Sequence, residues 1–120
     1  MRMDVNRFET AIVVDRSSIA RRLLAGHLHD HCDRVLAVST VAEMRAHLGD
    51  PVSLVVIDST AEGAMDWLEE VSRKPERPAV LVVTHLPSRH EEIHATLLGA
   101  IGYLTKPVSF DQLARALAPS

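Results

Sequence analysis

Leu54-Val55-Val56-Ile57-Asp58 is an unbroken apolar run, rich in β-branched residues, that ends on an acid. A strand exposed on one face alternates apolar and polar residues, so a run apolar at every position belongs in the middle of a parallel sheet with helices on both faces. Two other stretches repeat the pattern: Ala11 to Val14 ends on Asp15, and Ala79 to Val83 ends on Thr84. Val35 to Val38 and the weaker Gly102 to Leu104 complete a set of five.

Helical spacing fills the intervals. After Ser17 and Ser18, candidate N-caps, Ile19, Leu23, Leu24 and Leu28 make an apolar stripe. Thr40 stands three before Glu43 in a capping-box arrangement, with Val41, Met44 and Leu48 on one face of a helix from about 40 to 48. Further helices are predicted over 64–73, 88–98 and 110–117, the third ended by the Pro75 to Pro78 segment and the fourth by Gly99. The order βα, repeated five times, predicts a doubly wound α/β fold: a five-stranded parallel sheet in the order 2-1-3-4-5. Right-handed crossovers bring the carboxyl ends of the strands to one functional edge.

The bulk numbers narrow the function classes. At 120 residues the chain suits one domain, with a core over about 9–118. A hydrophobic fraction of 47% and a charged fraction of 24% are those of a soluble globular protein, and no apolar run reaches the roughly 18 residues of a membrane span. Met1 to Thr10 lacks a secretory pattern, so a cytoplasmic location is expected. A net charge of -3 with scattered basic residues argues against direct nucleic-acid binding. Cys32, the one cysteine, excludes an internal disulfide and reads as a buried thiol. His27, His29 and His31 read as surface groups, and His90 with His94 lack the third ligand a zinc site needs. Trp67 and Phe110 read as packing residues.

At the strand ends stand Asp15 and Arg16, Asp58, Thr84, and Lys106-Pro107. A carboxylate can attack phosphorus, and the transition state spreads negative charge over oxygens that cations and donors must meet. In Val13-Val14-Asp15, Leu54 to Asp58, Val82-Val83-Thr84 and Gly102-Tyr103-Leu104-Thr105-Lys106-Pro107 the chain resembles the receiver of two-component response regulators, a flavodoxin-like fold. The resemblance implies Asp58 as phosphoacceptor and Asp15 as part of the acidic pocket. It implies Lys106 and Thr84 as phosphate-binding groups, Tyr103 as a rotamer switch and Pro107 as following a cis peptide. It also implies phosphoryl supply by a sensor histidine kinase or phosphotransfer protein, a downstream output domain or protein, and homodimerisation through the fourth helix to fifth helix face. Such a module is a signalling domain, with at most self-catalysed phosphotransfer and dephosphorylation.

One position departs from the pattern. Receivers usually place two adjacent acids after the first strand, which with the phosphoacceptor hold Mg2+. Here the pair is Asp15-Arg16, so Asp15 and Asp58 face Arg16 and Lys106 with no net charge. Mg2+ binding by Asp15 and Asp58 is expected to be weak or lost, because a guanidinium has no acceptor to offer a metal. Arg16 could pair with Asp58 or bind the phosphoryl group in the metal's place. Glu62 reads as a solvated loop acid, and the loop Asp58-Ser59-Thr60-Ala61-Glu62 lacks the proline common there. A degenerate, phosphorylation-independent pseudo-receiver that acts as an interaction module therefore stays open beside the phosphoacceptor reading. A phosphatase resembling the haloacid dehalogenase superfamily would use Asp15 as nucleophile, but position 17, where its second acid belongs, is Ser.

Overall fold

In a computed structural model, residues 8–47 and 51–118 are described. Five parallel strands, β1 (Phe8–Val14), β2 (Cys32–Val38), β3 (Leu54–Asp58), β4 (Ala79–Thr84) and β5 (Gly102–Thr105), lie in the order β2-β1-β3-β4-β5. The connecting helices are α1 (Ser18–Leu28), α2 (Val41–Arg45), α3 (Ala64–Ser72), α4 (Arg89–Leu97) and α5 (Phe110–Leu117). This is the (βα)5 topology expected from the alternation of patterns.

The continuous apolar runs divide by parity. Ile12, Val14, Val55, Ile57, Val80 and Val82 pack with Met44, Trp67, Leu68 and Ala95 from α2, α3 and α4. Their neighbours Ala11, Val13, Leu54, Val56, Leu81 and Val83 pack with Leu24, Leu28, Leu113 and Leu117 from α1 and α5. Successive strand side chains point to opposite faces, so both parities must be apolar when both faces are covered.

Several elements differ from expectation. β1 and β2 begin earlier than Ala11 and Val35, because Phe8 pairs with Cys32 and Thr10 with Arg34 at the outer end of the ladder. Asp33 and Arg34 are exposed on this edge strand, which conceals it from a hydrophobicity reading. On α1 only Leu24 and Leu28 are buried, whereas Ile19 is 78% and Leu23 43% exposed. The pairs 19/23 and 24/28 each have i,i+4 spacing, but they lie on adjacent faces, and only one can meet the sheet. Phe110 likewise is 41% exposed and meets His27 edge-on, with ring centroids 5.8 Å apart, instead of entering the core. Trp67 and Cys32 are buried as expected. α2 ends at Arg45, and the expected contact of Leu48 lies outside the described residues.

The caps largely follow the sequence. Ser17, Thr40, Ser88 and Ser109 each accept from a backbone N–H in the first turn of their helix, and Ser109 with Gln112 forms a capping box. Glu43 reaches back to the N–H of Ser39, one residue before the cap. Gly63, with φ 79°, begins α3 without a side-chain cap.

Candidate functional site

Each central strand stops at the same edge of the sheet and delivers one polar group there. Asp15 leaves β1 with its N–H donating to Val38 O at 3.1 Å, and its side chain is 1% exposed. Asp58 is the last residue of β3 and, like Asp15, is buried. Lys106 follows β5, its N–H donating to Thr84 O at 2.8 Å, and the peptide joining it to Pro107 is cis. From there its ammonium donates to Oδ2 of both Asp15 and Asp58. One cation thus sits between two buried carboxylates.

The remaining carboxylate oxygens are satisfied locally. Asp15 Oδ1 accepts from Ser17 N–H at 2.9 Å, in the turn that starts α1. Asp58 Oδ1 accepts from Thr60 twice, from its N–H at 2.6 Å and its hydroxyl at 2.7 Å. Burial works to raise the Asp58 pKa, but the hydrogen bonds from Lys106 and Thr60 outweigh it and hold the carboxyl below its ordinary range. Burial likewise works to lower the Lys106 pKa, and the hydrogen bonds it donates to Asp15 and Asp58 reverse this, so the ammonium is held above its ordinary value. Asp58 is an ionised buried carboxylate and Lys106 its charged partner.

These groups open to solvent through a hollow of about 300 Å³ lined by Asp15, Arg16, Ser17, Asp58, Thr60, His85 and Lys106. Arg16 is exposed on its wall, and no ion pair joins it to Asp58 among the described residues; Lys106 holds that place. The alternative in which Arg16 pairs with Asp58 is therefore not the arrangement adopted. Glu62 is exposed and lies outside the hollow wall.

Thr84 is fully buried and does not line the hollow; its Oγ1 accepts from Leu86 N–H at 3.0 Å and shapes the turn toward α4. Its hydroxyl proton remains available for donation. Tyr103, partly buried against the α2–α4 side of the core, donates its hydroxyl to Glu91 Oε1 at 2.8 Å and accepts from Ser88 N–H at 3.1 Å. Tyr103 is thereby tied to the first turn of α4, one loop away from Thr84. Burial and the Glu91 carboxylate raise its pKa, against the Ser88 N–H, which lowers it.

Three participants were not singled out from the sequence: Thr60, His85 and Arg21, whose guanidinium donates to the carbonyls of Asp15 at 2.8 Å and Arg16 at 3.1 Å. The Asp58-Ser59-Thr60 spacing, in which an Asp side chain can accept from the N–H two residues on, signals the first. No motif marks the other two: Arg21 reaches back five and six residues from α1, and His85 follows Thr84 at the end of β4.

A divalent cation would require open carboxylate oxygens and near-octahedral room. Each oxygen of Asp15 and Asp58 already accepts from Ser17, Thr60 or Lys106, the Lys106 ammonium takes the place between the two acids, and Arg16 stands where a third acid would. Among the described residues no three His, Cys, Asp or Glu side chains group to hold a metal. As arranged, this donor set does not fit one.

No family model matches the sequence, and no curated protein matches it. Solved structures do. A response regulator from Thermotoga maritima superimposes with a TM-score of 0.79 at 23% identity, over 89% of this chain and 92% of that one. A Burkholderia pseudomallei response regulator, solved with a phosphorylated aspartic acid and a calcium ion, gives 0.79 at 19% identity over 92% of this chain and 66% of that one. An orphan response regulator of H. pylori gives 0.77 at 17% identity, over 92% and 97%. Strand order, helix placement and these superpositions agree, and the fold of this chain is that of the response-regulator receivers.

Proposed function

We propose that this chain is a receiver module that accepts a phosphoryl group on Asp58 and signals through a change of surface. The observation that carries this reading is the buried Asp58 at the end of β3 with the Lys106 ammonium on its Oδ2, facing a hollow that opens to solvent. A carboxylate so placed is a nucleophile held beside the cation that would meet the incoming phosphoryl oxygens. In the transfer Asp58 oxygen bonds to phosphorus, the bond from phosphorus to its previous carrier breaks, and the carrier leaves with the electron pair. Lys106 would then exchange a carboxylate for a phosphoryl oxygen, and the Arg16 guanidinium on the wall would take another.

The donor, a sensor histidine kinase or phosphotransfer protein, would approach over α1. Beside the hollow a second, apolar depression of about 300 Å³ is lined by Ile19, Leu23, Pro107 and Val108, and it shares His85 and Lys106 with the first. Readout would follow from Thr84: a phosphoryl group that draws its hydroxyl would disturb the turn to Leu86, and through it the Ser88–Tyr103–Glu91 contacts. Phosphorylation would shift the population between two packings only as far as these contacts differ between them. The face made by α4, β5 and α5 would meet the output partner or a second copy. None of the helices is long and apolar enough to cross a membrane among the described residues, and a cytoplasmic signalling domain suits the reading.

The test is incubation with acetyl phosphate, followed by intact mass, beside Asp58→Asn. A single phosphoryl adduct that disappears in the variant is the expected result. No adduct under any condition would refute phosphotransfer and leave the fold acting as a docking module.

A further inference from the structure

A carboxylate oxygen carries two lone pairs for in-plane donors. On Asp58, Oδ1 receives two donors and both come from Thr60, the N–H at 2.6 Å and the hydroxyl at 2.7 Å. Among the described residues Oδ2 receives Lys106 alone. One oxygen is therefore full and the other retains a free lone pair. On Asp15, Ser17 N–H holds Oδ1 and Lys106 holds Oδ2, so neither acid presents an oxygen without a donor.

We propose that Thr60 is a positioning residue which closes Asp58 Oδ1 to any further partner, a divalent cation included, so that Oδ2 alone attacks phosphorus and the transfer proceeds without metal. This rests on the phosphoacceptor reading of Asp58. With acetyl phosphate as donor, the Oδ2–P bond forms as the P–O bond to acetate breaks, and acetate leaves with the electron pair. No proton and no further reactant is required. Thr60 touches neither the phosphorus nor the leaving group; it sets which oxygen is free and how the carboxylate plane is turned. Its backbone N–H would do this in any variant, but only the hydroxyl closes the second lone pair. Charge on the phosphoryl oxygens is met by Lys106 and by Arg16, both on the wall of the hollow.

Rates of Asp58 adduct formation by the full chain, in Mg2+ and in EDTA, separate the possibilities. Wild type is expected to react at the same rate in both, within twofold. T60V, which keeps the shape and loses the donor, is expected to slow about tenfold in EDTA, as for loss of one hydrogen bond to a charged group. With a lone pair open it should also react faster in Mg2+ than in EDTA. T60S, which restores the hydroxyl, is expected to behave as wild type, a rescue that a merely packing role would not produce. A wild type accelerated tenfold by Mg2+, or a T60V indistinguishable from wild type in EDTA, overturns this inference and leaves the acceptor role of Asp58 standing. Absence of adduct from every variant in both buffers overturns the acceptor role and the inference together.

Discussion

Replacing Lys106 by Met tests whether the ammonium is the group that makes two buried carboxylates tolerable side by side. Its Nζ lies between Asp15 and Asp58, whose side chains are 1% and 4% exposed, while its own is 15% exposed. Taking one partner from a buried ion pair leaves uncompensated charge and costs about 3–5 kcal/mol. Here the lower end applies, because the hydrogen bonds from Ser17 and Thr60 remain and the hollow admits water. For a chain of 120 residues, an entropy of unfolding of about 2.1 cal/mol/K per residue converts about 3 kcal/mol to a fall in Tm of roughly 12 °C at pH 7. Protonating one carboxylate relieves the repulsion, so the deficit should shrink as pH falls toward 5. Adding Asp58→Asn to Lys106→Met should recover most of it at neutral pH. Circular dichroism melts of the single and double variants at pH 7 and pH 5 measure all three. A Lys106→Met deficit under about 1 kcal/mol, or one that stays constant with pH, would refute the picture of a shared cation.

Asp58, held below its ordinary range, contributes stability that is present above the unfolded carboxylate pKa of about 4 and is lost as pH falls through the lower folded value. Asp58→Asn should therefore flatten part of the acid limb of a stability-against-pH curve from urea melts. Burial and the Asp33 charge push the Cys32 thiol up to about 11, so native protein should leave a thiol reagent such as DTNB unreacted at pH 8 and release one equivalent on unfolding. A Cβ on Gly102 would stand 2.8 Å from Leu81 Cδ1 in the core under β5, and Gly102→Ala should lower stability by about 1–3 kcal/mol in the same melts, as overpacking does.

Much of this protein was legible in its chain. Runs apolar at every position, as in Leu54 to Ile57, require cover on both faces, and helical stretches between them leave a parallel, doubly wound sheet as the consistent arrangement. The caps at Ser17 and Thr40 and the stop at Gly99 are local chemistry, decided within a few residues. The ends of β1 and β3 could be read because an apolar run must stop where an acid begins, and Asp15 and Asp58 mark those points.

The architecture and the edge at which polar groups gather follow from periodicity and from where each run ends, and both are properties of the chain read in order. How those groups share charge is a property of the packed fold. That Lys106, 48 residues beyond Asp58, takes the position between the two acids while Arg16, next to Asp15, stays on the wall depends on the register of β5 against β4. That Ile19 and Leu23 face outward depends on which α1 face meets the sheet. Such outcomes are settled by distances across the fold, and a sequence records only distances along the chain.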